Sequence, residues 1–225
     1  MQLRAAIFAL LVLGAQNVRG ADVLDRIVAN VNGNVILQTD WDDEVNYESL
    51  MSNRSTQELT QADRNATLSR LIDQELLREQ MRGNDFKPAT SEDIDKQLEE
   101  LKQDFSRDHA GKSWKLELAN YGLSEAQVKS QVALELNQLR LIDARLRPSV
   151  QINPADVENY YREQLLPKSS SAQPLRLQDA APKIREILTQ QKIDELLASW
   201  LETLRSQAQI HVFVPEFPAL QVAQP

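Results

Sequence analysis

Few side chains in this chain are of the types that perform covalent chemistry. Its 225 residues include two histidines and no cysteine, which excludes a thiol nucleophile, a disulfide framework and a cysteine metal site. His109 and His211 lack the Ser, Cys or Asp partners of a catalytic pattern. HExxH, Walker A, GxGxxG and calcium-loop motifs are all absent. The sequence therefore predicts no enzyme, no metal site and no cofactor.

Glu75 is the carboxylate whose position is least ordinary. It falls in the middle of a predicted apolar helix face that Leu68, Ile72 and Leu76 share. Such a residue is either a functional acid or polar gate, or a hydrogen-bonded carboxylate with a structural role. The acidic runs "DWDDE" and "LEELKQD" read as solvated helix faces.

Seven apolar side chains are the better candidates for function, because binding rather than catalysis would use them. Each could simply be a core residue. Alternatively, some of them line a groove for unfolded apolar segments, since aromatic and Met side chains suit a surface that accepts many sequences. The candidates are Trp41, Tyr47, Leu50, Met51, Phe105, Trp114 and Tyr121.

Residues 1–20 form a secretory signal pattern. Arg4 precedes the apolar run "AAIFALLVLGA", and a cut after Gly20 is plausible. The alternative is an uncleaved anchor; no other stretch is apolar enough to span a bilayer. The formal net charge of −8 disfavours nucleic acid and anionic membranes as main partners. Export without cysteines fits a periplasmic protein.

The elements that must position these residues are mostly helical, with strands at the two ends of the chain. Asn32-Gly33 between apolar runs predicts a β-hairpin. An isolated hairpin is marginal in water, and residues 209–214, "QIHVFV", are the natural third strand.

Helices are predicted by apolar spacing and by caps. The first is expected to start at Thr39 or Asp40. The later helices are expected in six places along the chain. They are residues 61–82, a helix that starts at Thr90 or Ser91, the segment "WKLELANYG", a helix from Ser124 to Arg147, a helix that starts at Asn153, and residues 179–207. The two apolar stripes of the last helix point to nearly opposite sides, so its halves are expected to pack against different parts of the protein.

Four segments resemble, in order, the SurA-type periplasmic chaperones and their parvulin-containing relatives. Together they cover most of residues 22–214. Trp200 occupies a position at which the C-terminal helix of the family usually carries an aromatic residue. The segments are "VLDRIVANVNGNVILQTDWDDEV", "RLIDQELLREQM", "LANYGLSEAQVKSQVALELNQLRLIDARLRPSVQINPADVENYYRE" and "AAPKIREILTQQKIDELLASWLETLRSQAQIHVF".

The resemblance implies a mainly α fold, a helical SurA-like chaperone core with a small antiparallel sheet from the N-terminal hairpin and the C-terminal strand. The family's parvulin isomerase domain has no room here, because residues 166–176 stand in its place and a domain needs at least about 50 residues. The expected division is a signal peptide (1–20), a helical domain (21–165), a linker (166–176), a helix and strand completing the same core (177–214) and a loose tail (215–225).

The function that the resemblance implies is an ATP-independent holdase in the periplasm. Its clients would be unfolded, aromatic-rich segments, those of outer-membrane proteins above all. A scaffold with one dedicated partner and, less favoured, a prolyl isomerase relative are the alternatives. Some members of the family exchange helices between chains, which leaves a homodimer open.

Overall fold

The computed structural model describes residues 25–83, 86–109, 111–167 and 175–214. The predicted signal segment (1–20) and tail (215–225) lie outside the described residues, as do residues 168–174 of the predicted linker. The fold is mainly α with one small antiparallel sheet, as predicted.

The sheet joins the two ends of the described chain. Strand β1 (Ile27–Val31) pairs with β2 (Asn34–Leu37) across a turn in which Asn32 and Gly33 have φ values of 51° and 91°. Both values are positive, as a tight two-residue hairpin turn requires. Strand β3 (Ile210–Val212) pairs with the other edge of β1, giving the order β2-β1-β3. The predicted hairpin and third strand are both confirmed.

Helices form most of the rest of the described chain. Besides the α-helices, Tyr161–Leu165 forms a π-helical turn and Arg147–Ser149 forms a 3₁₀ turn. The α-helices are α1 (Gln38–Met51), α2 (Gln61–Gln80), α3 (Ser91–Asp108), α4 (Trp114–Asn120), α5 (Glu125–Leu146), α6 (Pro154–Tyr160) and α7 (Leu177–Gln207).

Side-chain caps set the starts of α2, α3 and α5. Thr90 and Ser124 accept hydrogen bonds from the backbone N–H three residues later, as the sequence predicts. The predicted start of α1 is wrong. Leu37 occupies the cap position, and the Asp40 carboxylate accepts a 2.9 Å hydrogen bond from the Leu37 N–H. The Thr39 hydroxyl is bonded to Asp25 instead. The helix consequently follows β2 without a loop.

Three groups of buried apolar side chains hold the elements together. The sheet cluster packs β1 and β2 on α1 and α2, the middle cluster packs α1 against α3, α4 and α5, and the third cluster packs α6 on α7. The sheet cluster contains Val28, Ala29, Val31, Ile36, Trp41, Val45, Leu68, Ile72 and Leu76. The middle cluster contains Tyr47, Leu50, Leu98, Phe105, Leu118, Leu123, Val128 and Val132. The third contains Val157, Ala180 and Ile184.

Helix α7 bridges two of these clusters. Ile184 and Leu188 in its first half pack with Val157 of α6, whereas Leu204 near its end packs against the sheet cluster. The prediction that its two halves contact different parts of the protein is confirmed. The end of α7 therefore positions β3 beside the N-terminal hairpin.

Arg205 connects the end of α7 to α2 through hydrogen bonds. Its Nε donates to Asp73 Oδ1 at 2.6 Å, and its Nη2 donates to the Ser69 hydroxyl at 2.7 Å and to the Ser69 carbonyl at 3.0 Å. Both charged side chains are only 23 % exposed. Replacing Arg205 by Met keeps the apolar stem and leaves the Asp73 charge partly buried without its cation.

We expect Arg205→Met to lower the free energy of unfolding by about 2 kcal/mol. Urea denaturation followed by circular dichroism measures the change. Lys192→Met, which removes a half-exposed lysine of α7 that pairs within the helix with Glu195, is the matched control and should change stability by less than about 0.5 kcal/mol. Equal effects for the two variants would contradict the role of Arg205.

Candidate functional site

The two histidines lie on different elements. His109 ends α3, where its ring stacks on Phe105 with a centroid distance of 4.4 Å, and His211 is exposed on β3. Among the described residues, no group of three or more His, Cys, Asp or Glu side chains is placed to hold a metal ion. No helix in the described ranges combines the length and apolar content that crossing a membrane requires.

A concave groove lies between α1, α2 and α5, with β2 at one end. It encloses about 430 Å³. We call it the α1/α2/α5 groove. Its lining residues are Val35, Ile36, Asp40, Asp43, Glu44, Tyr47, Leu71, Gln74, Glu75, Arg78, Leu123, Ala126, Gln127, Val128, Ser130, Gln131 and Leu134.

The apolar part of the groove comes from three elements. Val35 of β2 is 48 % exposed, and Leu71 of α2 and Leu134 of α5 are partly exposed. These residues are accessible because the groove separates α2 from α5, which leaves their facing sides without a complete partner. An apolar side chain of a ligand could therefore be buried there.

The polar part of the groove is acidic and is built on one face of α1. Glu44 is buried, and its carboxylate accepts hydrogen bonds from Gln74 Nε2 at 3.1 Å and from Gln131 Nε2 at 2.6 Å. Asp43 accepts one from Gln127 Nε2 at 2.8 Å. Glutamine amides from α2 and α5 thus hold these carboxylates across the groove.

Glu75, which interrupts the apolar face of α2, is a buried carboxylate with cationic partners. Its oxygens lie 2.5 Å from Arg78 Nη1 and 3.6 Å from Arg82 Nη2. The ion pair with Arg78 explains how a charge is tolerated on that face. Of the two alternatives left by the sequence, the structure favours the hydrogen-bonded carboxylate.

Burial raises the pKa of Glu44 to about 7, and repulsion from the neighbouring Glu48 and Glu135 carboxylates raises it further. The hydrogen bond from Gln74 and the charge of Arg70 act in the opposite direction. Burial also raises the pKa of Glu135, although the Tyr47 hydroxyl opposes this by hydrogen bonding. Arg70 donates to Glu48 rather than to Glu44. The wall of the groove therefore contains an acid that takes up a proton near neutral pH.

This raised pKa predicts a pH-dependent stability. Between pH 4.5 and 7, Glu44 is ionised in the unfolded chain but still protonated in the folded protein. The free energy of unfolding therefore falls as the pH rises through that window. We expect Glu44→Gln to be more stable than wild type at pH 8 by about 2–3 kcal/mol and to differ little at pH 4.5. Thermal or urea unfolding of both proteins between pH 4.5 and 8 measures the difference, and a difference that does not change with pH would contradict the prediction.

The structure places five of the seven predicted binding residues in or beside the middle cluster. Trp41 lies in the sheet cluster, and Tyr47, Leu50 and Phe105 lie in the middle cluster, each 7 % exposed or less. Trp114 and Tyr121 are partly buried beside that cluster, and Met51 at the end of α1 is 37 % exposed.

Of these seven, Tyr47 reaches the α1/α2/α5 groove. Trp114 packs edge-on against Phe105 at 5.2 Å, and the Tyr121 hydroxyl donates to the Arg54 carbonyl at 3.1 Å. These contacts give both rings a structural role. Client binding by the seven residues as a group stays a prediction.

Sequence reasoning did not select Val35, Leu71 and Leu134 as binding residues. One signal was available for Leu134, because α5 carries apolar residues around much of its circumference and such a helix must contact more than one neighbour. Nothing local distinguishes Val35 or Leu71 from core residues. Their exposure depends on the spacing of α2 and α5.

A family model described as the SurA-like N-terminal domain matches residues 2–142, more than half of the chain. No curated protein matches the sequence. Among solved structures, a similar chain comes from work on the virulence factor PEB4 and the periplasmic protein Cj1289, described as two structurally related SurA-like chaperones of Campylobacter jejuni. The identity is 11 %, the coverage is 83 % of this chain and 98 % of that chain, and the TM-score is 0.47. From the family match, the chain belongs to the SurA-like N-terminal domain family.

Proposed function

We propose that this protein is an ATP-independent periplasmic holdase that binds unfolded, apolar and aromatic-rich segments of outer-membrane proteins. Membership of the SurA-like N-terminal domain family supports a chaperone-type role with polypeptide clients, and it is the observation that carries the proposal. We place client binding in the α1/α2/α5 groove, where apolar side chains are accessible.

The groove suits weak and reversible binding. Each apolar side chain of a client gains about 25 cal/mol per Å² of buried surface, and the client loses conformational freedom when it is held. A groove of about 430 Å³ accepts only a few side chains at a time. Affinity for one segment is therefore low, and a long unfolded client is held through repeated short contacts.

The proposed role is not catalytic. The matched family model describes the N-terminal chaperone module of SurA-like proteins. Residues 166–176, between the π-helical turn and α7, are too few for an inserted isomerase domain. Residues 1–20 are proposed to be the signal peptide that directs the chain to the periplasm.

Aggregation of an outer-membrane protein diluted out of urea tests this function. Light scattering is recorded with residues 21–225 present and with an inert protein of similar size and charge. We expect suppression at near-stoichiometric amounts of the chain. Scattering equal to that of the inert control would contradict the holdase and favour a scaffold with one dedicated partner, which a pull-down from periplasm would then seek.

A further inference from the structure

The α1/α2/α5 groove differs from a purely apolar client site, because carboxylates line one side of it. Resting on the function proposed above, we propose that the groove selects unfolded segments in which a Lys or Arg is flanked by apolar residues. It would bind such segments in preference to apolar segments without a charge, and it would reject acidic ones.

The charges in the groove are unbalanced. Asp40, Asp43, Glu44 and Glu75 contribute four carboxylates, whereas the lining contains one cation, Arg78. Arg78 is already paired with Glu75 at 2.5 Å. The remaining carboxylates therefore present a negative field to whatever enters, and Glu44 contributes its full charge once the pH exceeds its pKa of about 7.

The partners of these carboxylates are neutral. Glu44 is held by Gln74 and Gln131, and Asp43 is held by Gln127. Within the described ranges, no Lys, Arg or His nitrogen lies within 4.0 Å of either carboxylate. A client ammonium or guanidinium would add a charge–charge attraction that the neutral glutamine amides do not supply.

The acidic and apolar parts of the groove are adjacent. Val35, Leu71 and Leu134 line the same cavity as Asp43 and Glu44. Lys and Arg bury their methylene stems on apolar surface while the charged head stays at a polar partner. A basic residue between two apolar ones matches both parts of the groove at once.

Peptide binding to residues 21–225 tests this selectivity without relying on any variant. Three fluorescein-labelled peptides have the same alternating Leu-Ser sequence and carry Lys, norleucine or Glu at the centre. Anisotropy titrations at low salt and pH 8, where Glu44 is ionised, give the affinities. We expect the Lys peptide to bind about five- to tenfold more tightly than the norleucine peptide, and the Glu peptide to bind most weakly.

Variants assign the selectivity to the groove. Asp43→Asn and Glu44→Gln should each reduce the preference for Lys over norleucine by at least about threefold. Glu99→Gln, a charge change of the same size at an exposed position of α3, should leave the preference unchanged. Asp43 is only half-buried, so its variant gives a test even if the buried Glu44 variant folds poorly.

Three outcomes would overturn the inference, and they can be told apart. Equal affinity for all three peptides, together with suppressed aggregation in the light-scattering experiment, would refute the selectivity while the holdase stands. Failure of both experiments would refute the holdase itself. A Ser130→Trp variant that changes the sedimentation of the protein, when Ser199→Trp on α7 does not, would show that a second copy occupies the groove.

Discussion

A chain that ends at Gln207 is expected to lose about 5 kcal/mol of its free energy of unfolding, or to fail to fold. The truncation removes β3, whose backbone contacts to the hairpin include Asn32 N to Gln209 O and Phe213 N to Val28 O, both at 2.9 Å. It also uncovers the sheet cluster, against which Ala208, Ile210, Val212 and Val214 pack. Four partly buried apolar side chains and several hydrogen bonds contribute about 1 kcal/mol each, and the conformational entropy lost in ordering residues 208–214 offsets part of this sum.

The control for this truncation is a chain that ends at Val214. The difference between the two truncated proteins isolates β3 and the residues beside it. Urea unfolding monitored by circular dichroism gives both free energies. Superimposable curves would contradict the conclusion that the C-terminal strand completes the core of the N-terminal hairpin.

Trp41→Ala is expected to lower the free energy of unfolding by about 4 kcal/mol. The ring is 3 % exposed in the sheet cluster, its Nε1 donates to the Arg64 carbonyl at 2.8 Å, and the Arg64 guanidinium lies 4.9 Å from the ring centroid. The substitution leaves a large cavity and removes the additional hydrogen bond to the Arg64 carbonyl, which lies within α2. Trp41→Phe keeps most of the packing and should cost about half as much.

The same variant separates a core role from a binding role for Trp41. Trp41 does not line the α1/α2/α5 groove, so the variant, studied at a temperature where it is folded, should bind the Lys peptide with an affinity within about twofold of wild type. Wild-type stability combined with a large loss of peptide affinity would instead make Trp41 a client-binding residue.

The local features of the fold follow from short stretches of sequence. Asn32-Gly33 requires positive φ values, and Thr90 and Ser124 cap their helices through hydrogen bonds to residues three positions later. The third strand also follows from sequence, because a lone hairpin needs an additional element and residues 209–214 are the one later stretch suited to that role. The start of α1 does not, because Leu37, which has no capping side chain, occupies the cap position while the Thr39 hydroxyl is bonded to Asp25.

The candidate site is harder to derive from sequence, because exposure is decided by the packing between helices. Helix α1 places Trp41 and Val45 in the sheet cluster and Tyr47 and Leu50 in the middle cluster. An apolar residue of α1 is therefore buried whichever of these two sides it occupies. Most of the predicted aromatic residues lie in or beside the core, whereas the accessible apolar surface of the groove comes from aliphatic residues on β2, α2 and α5.

Site-specific photo-crosslinking tests most directly the claim that the α1/α2/α5 groove holds unfolded clients. p-Benzoylphenylalanine replaces Ser130, an exposed residue that lines the groove, or Ser199, an exposed residue of α7 that does not. Each protein is mixed with an unfolded outer-membrane protein freshly diluted from urea and is irradiated. We predict a strong crosslink to the client from position 130 and a weak one from position 199. Equal crosslinking from both positions, or a stronger crosslink from position 199, would contradict the assignment of the groove as the client site.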